Sequence, residues 1–139
     1  MQRVLLLALS MAACGGKPAN DAVAVAEKFL DLYFVEVDQE KALPLTTGLA
    51  RETLEKELRD VAEVRAAGYD PSQARGRAYY KQTYLKEDPA GSARLVYDLT
   101  MEYGERNDKT QRHVLLSLRK EAGSWRVASF TLGAFEVQQ

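Results

Sequence analysis

Side chains able to do covalent or metal chemistry are scarce in this chain. Its 139 residues include one cysteine, Cys14, and one histidine, His113. A single thiol forms no intramolecular disulfide, and one histidine beside it falls short of the ligand set a zinc site takes. A phosphate-binding glycine loop, HExxH and CxxC are all missing from the sequence. His113 stands next to Val114-Leu115-Leu116, which reads as a strand with the histidine at its rim. No cofactor and no metal are expected. The stretch RGRAYYKQTYLK, residues 75–86, interleaves basic and aromatic residues. Such a pattern suits a surface for stacked single strands, a protein-contact strand or the solvated face of a sheet strand, and the last is the simplest reading. Lys+Arg number 19 against 20 Asp+Glu, a formal net charge of -1, so the whole chain does not attract nucleic acid.

The reactive residue with the clearest context is Cys14. It closes a segment that begins with Arg3, continues through the apolar run Val4-Leu5-Leu6-Leu7-Ala8-Leu9 and ends in Ser10-Met11-Ala12-Ala13. Charge, apolar run and small residues are the three parts of a secretory signal. The apolar part is far shorter than the roughly 20 residues that cross a bilayer, and Gly15-Gly16-Lys17-Pro18 stops it. Ala12-Ala13-Cys14 resembles the lipobox of bacterial lipoproteins. The resemblance implies that residues 1–13 are a lipoprotein signal peptide removed before Cys14. It further implies that Cys14 is the lipidation site, carrying diacylglycerol on sulfur and palmitate-type acyl chains. Residues 14–19 then form the lipidated cysteine and a short tether, reaching about 20 Å at ~3.5 Å per residue. Gly15 rather than aspartate after the cysteine implies the outer membrane, facing the periplasm, over the inner one.

Residues 20–139 suit a single domain. With 46% hydrophobic and 28% charged residues, a packed core is expected and disorder is not. NDAVAVAEKFLDLYFVEVD, capped by Asn20 or Asp21, carries Val23, Ala26, Leu30, Tyr33, Phe34 and Val37 on one helical stripe. Asp38 caps a short second helix that Pro44 ends. LARETLEKELRDVAEVRAAG predicts a third helix with Leu54, Leu58 and Val61 on one face and Gly68 as its stop. The pairs Glu52–Lys56 and Glu55–Arg59 are expected on its solvated side. From residue 77 the period changes from 3.6 to 2. RAYYKQTYLKE, SARLVYDLTMEY, QRHVLLSLRKE and WRVASFTLGAFE predict four strands joined by DPAG, ERNDKT and AGS, an antiparallel meander. Ala93, Leu95, Tyr97, Leu99, Met101 and Tyr103 take one face of the second strand, and Asp98 the other. The fold class is α+β: three N-terminal helices packed on a curved four-stranded antiparallel sheet.

The apolar first helix, DQEKALPL and the ending VLLSLRKEAGSWRVASF make residues 20 to 136 resemble a nuclear transport factor 2-like (cystatin-like) cone domain, as carried by small bacterial envelope lipoproteins. The resemblance implies a cone whose interior holds a small apolar ligand, with Tyr33, Tyr97, Met101 and Tyr103 as candidate pocket residues. It implies equally a domain that packs its core with those residues and binds an envelope protein partner, or one that forms a homodimer through its outer sheet face. Some relatives are cofactor-free isomerases and dehydratases that pair a tyrosine with carboxylic acids inside the cone. Tyr33 would be such a donor, but Asp98 and Asp31 both fall off the inward faces, so no catalytic set is assigned. The expected function is a non-catalytic, membrane-anchored envelope lipoprotein that binds a protein partner or small apolar ligand.

Overall fold

The computed structural model describes residues 21–69, 76–103 and 108–134. Residues 1–20, which hold the expected signal peptide, Cys14 and the expected tether, lie outside the described residues.

Helix α1 spans Ala22–Leu30, with the Asp21 carboxylate accepting from the Val23 N–H as its cap. Apolar residues fill its inward side, and Ala22, Val25, Ala26, Phe29 and Leu30 are buried. The sequence stripe needs a correction here. At Asp31–Val35 the helix widens into a π-helical turn, which rotates the following side chains. Leu32 becomes buried, Tyr33 and Phe34 half-buried, and Val37, at φ 54, turns the chain out of the helical path. Helix α2, Gln39–Ala42, is capped by Asp38 through the Lys41 N–H, and a 3-10 turn with Pro44, Leu43–Leu45, ends it. Thr46 then makes one parallel bridge to Val127.

Helix α3, Gly48–Ala66, buries Ala50 and Leu54. Its solvated pairs are Arg51–Glu55 and Lys56–Asp60, cation first, rather than the acid-first pairs expected from the spacing. Both are exposed and contribute little. The Tyr69 N–H bonds back to the Val64 carbonyl around Gly68, at φ 92, which ends the helix as its sequence suggests.

The four strands are β1 (Arg77–Asp88), β2 (Ser92–Tyr103), β3 (Asp108–Glu121) and β4 (Ser124–Ala134). They form one antiparallel sheet in the order β1-β2-β3-β4. Asp88 caps the first turn through the Ala90 N–H. Ala122 and Gly123, both at positive φ, make the tight turn between β3 and β4. The burial of Ala93, Leu95, Tyr97 and Leu99 on β2 and of Val114, Leu116 and Leu118 on β3 follows the period-2 pattern. Two extra residues, Thr83 on β1 and Ala128 on β4, break the ladder register. Such bulges bend and twist long strands, and here the bent sheet wraps α1, the π turn and α3.

Gly76 leads into β1 where a side chain has no room. A Cβ there would run into the Glu102 carbonyl and come within 2.8 Å of a Tyr103 ring carbon. Gly76→Ala must push the β1–β2 ladder apart at its end. Chemical denaturation is expected to show a loss of about 1–3 kcal/mol; an unchanged midpoint would mean that the ladder end yields freely.

Candidate functional site

The inner face of the sheet and the first helix meet around Phe29, which is fully buried. Its ring stacks on Tyr33 at 5.4 Å and meets Phe130 of β4 at 5.1 Å. Tyr33 in turn lies 4.7 Å from Phe34 and 5.0 Å from Phe130, both nearly edge-on. The four rings form a connected chain of contacts, one stacked and three tilted or edge-on, with Phe29 buried and Tyr33, Phe34 and Phe130 half-buried around it.

One polar contact crosses this cluster. The Tyr33 hydroxyl donates to Glu57 Oε1 at 2.6 Å. Glu57 comes from α3, so the bond ties the π turn to the third helix. The other carboxylate oxygen, Oε2, is buried without a hydrogen-bond partner. Burial pushes the Tyr33 pKa well above the usual tyrosine value, and the hydrogen bond to Glu57 and its charge push it further. Tyr33 therefore holds its proton tightly, and its hydroxyl is already engaged. Sequence reasoning did not single out Glu57, which sits in the charged run ETLEKELRD. The available signal was its place three residues after Leu54 and next to Leu58, on the inward stripe of α3.

A second group lies nearer the β1 edge. Tyr97 is fully buried, edge-on to Tyr80 at 5.7 Å, and its hydroxyl finds no partner. Burial raises its pKa, with the charges of Glu27 and Asp21 adding to the effect. The Tyr80 hydroxyl donates to the Asp31 carboxylate at 2.6 Å, and burial and that bond raise its pKa too. Asp31 is thus off the core stripe, as its position implied, yet it clamps the π turn to β1.

The other candidates are dispersed. Met101 is half-buried against the core, while Tyr103, on the same face, extends beyond the helices and is exposed, its hydroxyl 3.0 Å from Met101 Sδ. The structure therefore brings Tyr33 and Tyr97 inside the cone and leaves Tyr103 outside it. Asp98 faces outward and pairs with His113 Nδ1 at 2.7 Å. Surface recesses are present among the described residues. One of about 290 Å³ is lined by Tyr79, Lys81, Asp98 and Thr100, and one of about 400 Å³ by Pro44, Thr47, Glu121 and Arg126. Among the described residues no group of three or more His, Cys, Asp or Glu is placed to hold a metal ion, and no helix is long and apolar enough to cross a membrane.

No protein family and no curated protein matches the chain in comparisons of sequence. Solved structures do match its shape. A structure from Thiobacillus denitrificans, assigned as a calcium/calmodulin-dependent protein kinase type II association domain, superposes with a TM-score of 0.58 at 17% identity over 80% of this chain and 93% of its own. A protein designated Rd1NTF2_05, carrying several substitutions, superposes with a TM-score of 0.55 at 13% identity over 81% of this chain and 100% of its own. At these identities the likeness is one of fold. The chain has a nuclear transport factor 2-like fold, α+β, with its helices on one face of a curved four-stranded sheet.

Proposed function

We propose that this chain is a non-catalytic, lipid-anchored protein of the bacterial envelope, held through Cys14 to the outer membrane on its periplasmic side, whose cone domain works by binding a protein partner on its outer surface. The observation that carries the choice of a protein over a small apolar ligand is the packed interior. Phe29 is fully buried, and Tyr33, Phe34 and Phe130 pack against one another around it, which favours a core over an open cavity. Fold by itself decides none of this.

Two measurements test the reading. Native mass spectrometry of the full chain carrying Cys14→Ser is expected to give the bare polypeptide mass. A discrete extra mass released on unfolding would replace the protein-partner reading with a ligand-binding one. In cells fed a labelled fatty acid, the natural chain is expected to take up label and Cys14→Ser none, with the unprocessed precursor accumulating. Label retained on the serine variant would overturn the anchor.

A second reading, a cofactor-free isomerase or dehydratase, draws on one specific observation, the partnerless Oε2 of buried Glu57 beside Tyr33. Against it stands the engagement of the Tyr33 hydroxyl, which a substrate would have to displace. Thermal stabilisation of the chain by small phenols or cyclic ketones, and its loss in Tyr33→Phe, would favour this reading. Assembly through the outer sheet face has less support. On this face Lys81, Arg94, Asp98, Glu102 and His113 surround a short row of apolar side chains, Tyr84, Val96 and Leu115, with Tyr79 beside it.

A further inference from the structure

Strand β1 is an edge strand, and among the described residues nothing pairs with its outer side. Its two halves differ. Ala78 and Tyr80 are half-buried under the π turn, whereas residues 81 to 88 are exposed on both faces. Tyr79, Tyr84 and Leu85 are exposed at 53%, 47% and 40%. Long exposed edges invite pairing with another chain.

The Thr83 bulge sets which residues of the edge share a face. In an antiparallel pair, residues directly opposite each other point to the same face. In an unbroken strand Arg77 and Asp88 would point to opposite faces, because they are an odd number of residues apart. With the extra residue inserted, Arg77 pairs with Glu102 and Asp88 with Ser92, both on the outward face of β2. Tyr79, Lys81, Tyr84 and Lys86 share that face, and Tyr80 and Leu85 share the inner one. A two-fold axis through the bulge then sets Arg77 opposite Asp88, Tyr79 opposite Lys86, Lys81 opposite Tyr84, and Tyr80 opposite Leu85 of a second copy. The set contains one opposite-charge pair, two cation–aromatic pairs and one apolar pair. The helix-covered half of each strand lies beside the bare half of the other, so the two helical layers do not collide.

We propose that two copies of this chain associate antiparallel, β1 edge to β1 edge, about the Thr83 bulge, forming a continuous eight-stranded sheet. A symmetric pair of this kind is closed and leaves each copy only its β4 edge. The proposal does not depend on the envelope function or on the lipid anchor, since the contact lies wholly within the domain.

The test uses the full chain with Cys14→Ser. Light scattering during size exclusion is expected to report twice the chain mass; a monomer at all accessible concentrations would overturn the proposal. Adding both Lys81→Cys and Tyr84→Cys is expected to convert the chain to a disulfide-linked dimer under mild oxidation. Each single substitution alone is expected to link far more slowly than the double variant, because like positions stand two ladder steps apart, as Asp98 and Val96 do on β2, about 7–8 Å on the diagonal and at the limit of the ~7 Å reach of a disulfide. A dimer linked as fast by either single variant as by the double one, or a non-covalent dimer that the double variant fails to link, would overturn this edge and register.

Discussion

Phe29→Ala is expected to lower the stability of the domain by about 3–5 kcal/mol, the range for deleting a fully buried phenylalanine ring. The ring is 0% exposed and touches both Tyr33 and Phe130, so its removal takes away contacts on α1, the π turn and β4 together. Domains of this size hold only about 5–15 kcal/mol in total, so the variant should sit close to unfolding at room temperature. Urea denaturation read by circular dichroism measures the loss. The same number bears on function. A packed interior pays the full cost of a new cavity, while an interior already hollow for a ligand would not. A loss near 1 kcal/mol would mean that the rings line a space instead of filling it, and would return weight to a bound apolar molecule.

Alkaline unfolding is the second large effect. Tyr33, Tyr80 and Tyr97 all have native pKa values raised above the ordinary 10.0. Below pH 10 the folded and unfolded chains both keep these protons, and the full stability is present. Above it the unfolded chain releases them while the folded chain holds them, so stability falls as pH rises. Each tyrosine held completely contributes about 1.4 kcal/mol per pH unit to that slope. Tyr80 counts for less, because water at the sheet edge screens it. Tyr97 and Tyr33 together set an upper slope of about 3 kcal/mol per pH unit. Tyrosinate absorbance and circular dichroism, followed together from neutral pH upward, check this. The last tyrosinates are expected to appear in the same step as the loss of structure. Complete ionisation of all seven tyrosines in a chain that keeps its native spectrum would show these three to be solvated.

The sheet was legible because its information is local. Alternation along SARLVYDLTMEY fixes which side chains share a face whatever packs on them, and Tyr97 inward and Asp98 outward follow from it. Caps and stops were readable for the same reason. Asp21, Asp38, Pro44 and Gly68 act on backbone groups within a few residues of themselves. Tyr103 shows where the local rule ends. It shares the face of Met101, but whether that face is covered depends on how far the helices reach. The π turn at Asp31–Val35 and the bulges at Thr83 and Ala128 leave no mark in residue periodicity, because one inserted residue looks like a short irregularity until the partner strand or helix supplies the register. Glu57 is the clearest case. Among Glu52, Glu55 and Lys56 it looks like one more solvated charge, and only the approach of Tyr33 from another helix makes it a buried acceptor. The sequence by itself determined the element types, their order, the face of each strand residue and the expectation for Cys14. The tertiary structure decided which polar groups lie inside, since a carboxylate is taken out of water only where a distant donor is brought to it.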